Sequence, residues 1–218
     1  MRVSLAIVAA LLVAAPAASA GRFHLYTCRS PAGEPAPADG WSSSKTGLYV
    51  WTSNTCGEGG RLMAALGDQP RRLANTDSVI WGFTLPSPYA MASAVLWRAG
   101  DASAGALGAS YEFGIASPSE TSVIDECVVG LGCTRKGEST PFAAVNRVVV
   151  PTGDLGSRVY VRAGCGGGSE YECPSGQGDA NSYAAVIYLY AADLAFGDSD
   201  GKSIGAAPSG GVVTSATK

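Results

Sequence analysis

The sequence predicts an all-β chain, a two-sheet antiparallel β-sandwich stapled by disulfides. Three observations predict it. Only 15% of the 218 residues are charged and 29 are glycine. That balance suits short strands and tight turns better than helices, which favour Ala, Leu, Glu, Lys and Arg. About ten strand-like segments recur at near-regular spacing between Gly and Pro turns, as in sandwiches. Six cysteines follow a segment that reads as an export leader, and exported thiols pair. There is no βαβ alternation and no repeat of fixed period.

Residues 1–20 read as a signal peptide, with Arg2 as a thin positive start, an apolar run from Leu5 to Ala15 and Ala18-Ser19-Ala20 as the cleavage site. From Gly21 to Gly197 the chain reads as the sandwich domain. Arg22–Cys28 alternates Phe23, Leu25 and Thr27 against His24, Tyr26 and Cys28, the two-residue period of a strand. Pro31–Gly40 is a proline-rich loop. Leu48–Thr52, Arg61–Leu66 and Ser78–Leu85 are strands, the last stopped by Pro86. Tyr89–Trp97 is a strand with a helix as rival, and Asp101–Gly108 is loop. Ser110–Ala116, Ser122–Val129 and Ala144–Val150 follow as strands.

Arg158–Ala163 alternates most cleanly, placing Val159, Val161 and Ala163 inward and Arg158, Tyr160 and Arg162 outward. Ser182–Phe196 is apolar on both faces, with Val186, Tyr188, Tyr190, Leu194 and Phe196 on one side and Ile187, Leu189 and Ala191 on the other. A helix is the rival reading, but the aromatic and β-branched content favours a strand, and such a strand belongs in the middle of a packed sandwich. Residues 198–218 turn small and polar, like a linker or the start of a truncated following module.

Six cysteines allow 15 connectivities. Spacing favours neighbours: Cys28–Cys56, Cys127–Cys133 across a short turn, and Cys165–Cys173 across a glycine-rich loop. No C-x-x-C occurs and His24 is the only histidine, so neither a zinc site nor any other metal or cofactor is expected.

Several of these residues together resemble a known arrangement. Tyr26-Thr27-Cys28 precedes the proline-rich loop and Gly40-Trp41. Cys56-Gly57, Ala94-Val95-Leu96-Trp97-Arg98, Gly164-Cys165-Gly166-Gly167 and a Tyr-rich final strand follow. The chain resembles the N-terminal domain of large secreted actinobacterial proteins of uncharacterised function. The resemblance implies a concanavalin A-like jelly roll followed by Ig-like modules, the tail from Ile204 being the opening of one. It rests on a Cys/Trp scaffold and implies no catalytic residue.

The formal charge is −3, becoming −4 once Arg2 leaves with the leader. So mild an acidity, without a basic stripe, excludes nucleic acid binding through the net field. No apolar run after the leader is long enough for a membrane-spanning helix. A Ser-His-Asp arrangement would have to use His24, yet no G-x-S-x-G elbow supplies a serine: Gly108-Ala109-Ser110-Tyr111-Glu112 lacks the closing glycine. Glycoside hydrolysis needs two facing carboxylates. Glu112, Asp125 and Glu126 are available, but Asp125 and Glu126 are consecutive and point to opposite faces of a strand. Asp198-Ser199-Asp200-Gly201 is half of a calcium loop without its remaining ligands. Gly164–Gly168 lacks the lysine of a phosphate-binding loop.

The aromatic residues offer the remaining chemistry: Trp41, Trp51, Trp81 and Trp97, with Tyr49, Tyr160 and Tyr190. Trp81 and Trp97 lie in apolar strands and are expected in the core. Trp41, after a polar loop, and Tyr160, between arginines, are the expected exposed ligand-binding faces. The function read from these residues is an exported, non-catalytic recognition module for carbohydrate or a cell-surface polymer. A structural or adhesin spacer is the alternative, and a glycan-cleaving enzyme is disfavoured.

Overall fold

The computed structural model describes residues 23–67, 76–87, 89–102, 111–165, 183–198 and 213–214. The expected leader lies outside them, as do Cys173, Gly166–Gly168, Ser199–Gly201 and nearly all of the expected tail.

In chain order the strands are β1 (Phe23–Arg29), β2 (Pro35–Ala36), β3 (Trp41–Thr46), β4 (Val50–Asn54) and β5 (Leu62–Leu66). Then come β6 (Ser78–Thr84), β7 (Tyr89–Ala102), β8 (Tyr111–Ala116), β9 (Val123–Val128) and β10 (Arg135–Lys136). β11 (Arg147–Val150), β12 (Arg158–Cys165), β13 (Ala185–Asp198) and β14 (Val213–Thr214) follow. No α-helix occurs among the described residues; only short 3-10 turns interrupt the strands. The expected Ala144–Val150 strand begins with such a turn, at Ala144–Asn146.

The strands form two antiparallel sheets. The smaller has the order β3-β6-β12-β8-β9. The larger is built on β7 and β13, which pair from Ala185↔Ala102 to Asp198↔Tyr89. The other edge of β13 is shared: β1 pairs along Ala192–Phe196 and β5 along Ala185–Leu189. β4 extends β5, β10 and β11 lie on β7, and β2 and β14 lie on β1. The chain crosses between sheets at β2–β3, β3–β4, β5–β6, β6–β7, β7–β8, β9–β10, β11–β12 and β12–β13.

Alternation places the core between the sheets, as the sequence predicts. Val79, Trp81 and Phe83 of β6, Phe113 and Ile115 of β8, and Val159, Val161 and Ala163 of β12 form one wall. Leu62 and Leu66 of β5, Leu96 of β7, and Ile187, Leu189, Leu194 and Phe196 of β13 form the other. Each large buried side chain stabilises the fold by roughly 1.5–3 kcal/mol.

β13 departs from the expected pattern. Its register with β7 shifts between Leu189 and Ala191. An extra residue there reverses the parity of everything beyond it. Leu194 and Phe196 consequently join Ile187 and Leu189 in the core, rather than sharing a face with Tyr188 and Tyr190. The tyrosines point outward.

A buried ion cluster ties the sheets together. Asp125 of β9 accepts from Arg98 Nε of β7 at 2.7 Å and from Lys136 Nζ of β10 at 2.6 Å. Arg98 also donates to the Val145 carbonyl at 3.2 Å. Burial alone would push the Asp125 carboxyl up, but the two cations outweigh it and hold the pKa below the ordinary carboxylate value.

The sulfur links follow the spacing where they are described. Cys28 is bonded to Cys56 and Cys127 to Cys133. The second link spans the turn at which the chain leaves the smaller sheet for the larger. Cys165 is also disulfide-bonded, and its partner lies outside the described residues. No described helix is long and apolar enough to cross a membrane.

Candidate functional site

A surface site with room for a ligand lies on the outer face of the larger sheet, where β13 passes from its pairing with β5 to its pairing with β1. β1 turns away there: Cys28 adopts a left-handed backbone with φ 62, a conformation uncommon outside glycine. The next residues pair instead with β2, as Cys28↔Ala36 and Arg29↔Pro35. The Cys28–Cys56 link fastens this corner to the 3-10 turn Cys56–Glu58. The fork leaves room above β13, and residues 55–61 fill one bank of it.

That bank is locked by hydrogen bonds. Thr55 N–H donates to the Arg61 carbonyl at 3.0 Å, and Arg61 N–H donates to Thr55 Oγ1 at 3.0 Å. Gly60 N–H donates to the Thr55 carbonyl at 2.9 Å, and a Cβ on Gly60 would collide with the Thr55 side chain. Arg29 donates to the carbonyls of Gly33 and Gly59. Arg61 therefore leaves a backbone fixed on both sides.

Its guanidinium lies 4.0 Å above the Tyr188 ring and 5.8 Å from that of Tyr190. The two rings are stacked, with centroids 6.3 Å apart and planes inclined by 23°. They occupy alternate residues of one strand, which puts both on the same face. Burial pushes both phenols above the usual tyrosine pKa, while Arg61 pulls in the opposite direction. Cation–π contacts of this kind hold a guanidinium in place without neutralising its charge.

Two open clefts have Arg61 and Tyr190 in common, and each has a volume of about 420 Å³. The first is lined by Asp101, Arg135, Lys136, Glu138 and Ser139 along with Tyr188, Tyr190 and Arg61. Its loop is held by the buried Asn146, whose Nδ2 donates to the carbonyls of Glu138 and Thr140 at 2.9 and 2.7 Å. The second is lined by Arg29, Ser53, Thr55, Gly59, Gly60, Arg61, Met63 and Tyr190.

Trp41 and Tyr160, the expected exposed faces, are corrected by the structure: each is 8% exposed. Trp41 opens β3 opposite Phe83 and turns into the core, its indole N–H donating to Thr27 Oγ1 at 2.9 Å. Tyr160 does point outward, as the alternation predicts. Its ring lies across Gly82, where a Cβ would approach within 2.9 Å, and packs with Ile80 and Ala116. An outward direction on a strand is thus not the same as exposure. Trp97 departs in the other direction. It sits half-buried on the outer face of β7, edge-on to Phe142 at 5.3 Å, whereas Trp81 is in the core.

The candidate acids do not combine. Asp125 is committed to Arg98 and Lys136 between the sheets, and its neighbour Glu126 is exposed on the opposite face. Glu112 is ion-paired with Arg162. The hollow between Glu112, Glu126 and Arg162 holds about 10 Å³, room for one water at most. His24 Nδ1 lies 2.7 Å from Asp193 Oδ1, on the outer face of the larger sheet. Among the described residues no group of three His, Cys, Asp or Glu is placed to hold a metal ion.

Tyr190 was visible in sequence as one aromatic among several. Arg61 was visible only as the start of a strand, because its meeting with Tyr188 depends on the β5–β13 register. No protein-family model matches the chain, and no curated protein matches it in sequence.

Proposed function

We propose that this chain is an exported, non-catalytic recognition module, and that its ligand is a carbohydrate or cell-surface polymer seated across the Tyr188–Tyr190–Arg61 wall. The observation that carries this reading is the pair of equal clefts, about 420 Å³ each, that share Arg61 and Tyr190, with Tyr188 lining the first. Each has the size of a small-molecule site. Two such hollows in a row suit a chain of repeated units better than a single compact ligand. Their linings are rich in what a polyhydroxylated ligand requires: hydroxyls of Ser53, Thr55, Ser139 and the tyrosines, guanidinium and ammonium donors, and carboxylate acceptors.

Export follows from the leader-like residues 1–20 and is supported by the disulfides, which persist in oxidising compartments. A concanavalin A-like relationship and an origin among secreted actinobacterial proteins belong to the same reading, resting on the Cys/Trp scaffold of the sequence.

The test is a glycan array probed with the wild-type chain and with Tyr188→Ala. Binding to a polysaccharide that Tyr188→Ala removes supports the module. Arrays blank for both would favour the spacer, for which the clefts have no task.

A further inference from the structure

Building on the recognition reading, we infer that the ligand is an anionic polymer, and that its acidic group lodges in the cleft formed by Arg29 and Arg61. The two clefts are equal in volume but not in charge. Arg61 borders both, but in the Lys136 cleft the other two cations each have a carboxylate: Arg135 Nε lies 2.5 Å from Asp101, and Lys136 Nζ lies 2.6 Å from Asp125. Glu138 adds a further acid to that lining. The other cleft has two arginines and no acidic residue in its lining.

Neither arginine is neutralised by a carboxylate among the described residues. Arg61 is held by tyrosine rings. Arg29 is held by the carbonyls of Gly33 and Gly59, and its buried Nε has no acceptor. In a chain of net charge −3 this is a local reversal of sign, not a consequence of overall basicity. A guanidinium matches planar carboxylate or tetrahedral phosphate through paired N–H donors. Here the fork is positioned before the ligand arrives, which lowers the entropy lost on binding. Thr55 and Ser53 supply hydroxyls beside it. The shared chemistry is therefore an oxyanion on a hydroxyl-rich polymer, either a sugar carboxylate or a backbone phosphate.

The experiment compares three probes by calorimetry: polygalacturonate, its fully methyl-esterified form, and poly(glycerol phosphate). At least one anionic probe is expected to bind and the ester to bind at least about tenfold more weakly, the value of one charge-assisted contact. Arg61→Gln should weaken the anionic probe about tenfold, Arg61→Lys by about threefold, and added salt should weaken it further. Melting curves confirm that both variants are folded. Preference for polygalacturonate identifies the carboxylate as the recognised group, and preference for poly(glycerol phosphate) the phosphate. Equal binding of the ester, unchanged in Arg61→Gln, overturns the anionic inference and leaves the recognition reading standing. Absence of binding by all three probes overturns both.

Discussion

The outer faces of the two sheets contain the same kinds of residue and do opposite things with them. On the smaller sheet Tyr160 lies flat over Gly82, Arg162 is paired with Glu112, and the remaining hollow holds about 10 Å³. On the larger sheet the half-buried Tyr188 lines one cleft of about 420 Å³, the more deeply buried Tyr190 (4% exposed) lies at the edge of that cleft and of a second of equal size, and Arg61 rests on rings rather than on a carboxylate. On the first face Arg162 has a carboxylate and the space is filled. The second has kept both charge and space. Residue type does not make a site. What differs is whether neighbouring strands bring a glycine and an acid to the same place, and here the fork between β1 and β5 keeps the space open.

The largest expected effect concerns what joins the two faces. Asp125→Ala removes the partner of the 5%-exposed Arg98 and should destabilise by about 3–5 kcal/mol, as uncompensated buried charges do. Chemical denaturation measures this. The Asp125 carboxyl is depressed in the folded state, so its contribution is present above the unfolded value near pH ~4 and is lost as pH falls through the folded value. The difference in melting temperature between wild type and Asp125→Asn should accordingly narrow as pH drops below about 4. A constant gap down to about pH 2 would contradict the pairing.

Tyr160→Ala should cost about 3 kcal/mol, in the range for buried aromatics, and leave ligand binding untouched. If it instead abolished binding with little loss of stability, the contrast between the faces would be reversed. Replacing Cys28 and Cys56 together by serine should cost about 3 kcal/mol in the loop-entropy view. It should also weaken binding, because the same bond fastens the 55–61 bank; unchanged binding would show that the hydrogen bonds hold the bank alone. The smallest effect is expected from Arg162→Gln, about 0–1 kcal/mol for a partly exposed pair, with no change in affinity.

Strands with one dry face were legible from the sequence. Val159, Val161 and Ala163 could be assigned inward because the polar residues between them leave a single solution. β13 defeats the same reasoning. Apolar on both sides, it gives no phase to the alternation, so the register shift at Leu189/Ala191 is invisible until β7 is beside it. Trp41 and Tyr160 failed for a related reason. Burial of a ring is decided by the residue on the next strand, Gly82 under the outward Tyr160 and Phe83 beside the inward Trp41, and not by its own neighbours in sequence. The candidate site shares this dependence: Tyr188-Leu189-Tyr190 announces two outward aromatics once the parity is known, but nothing near Arg61 announces that they will hold it.

The most direct measurement places Tyr188→Ala beside Tyr160→Ala in one binding titration against the polysaccharide that wild type prefers. The account predicts that Tyr188→Ala remains folded and loses binding, while Tyr160→Ala melts earlier and binds as wild type when folded. Retention of full affinity by folded Tyr188→Ala would contradict it.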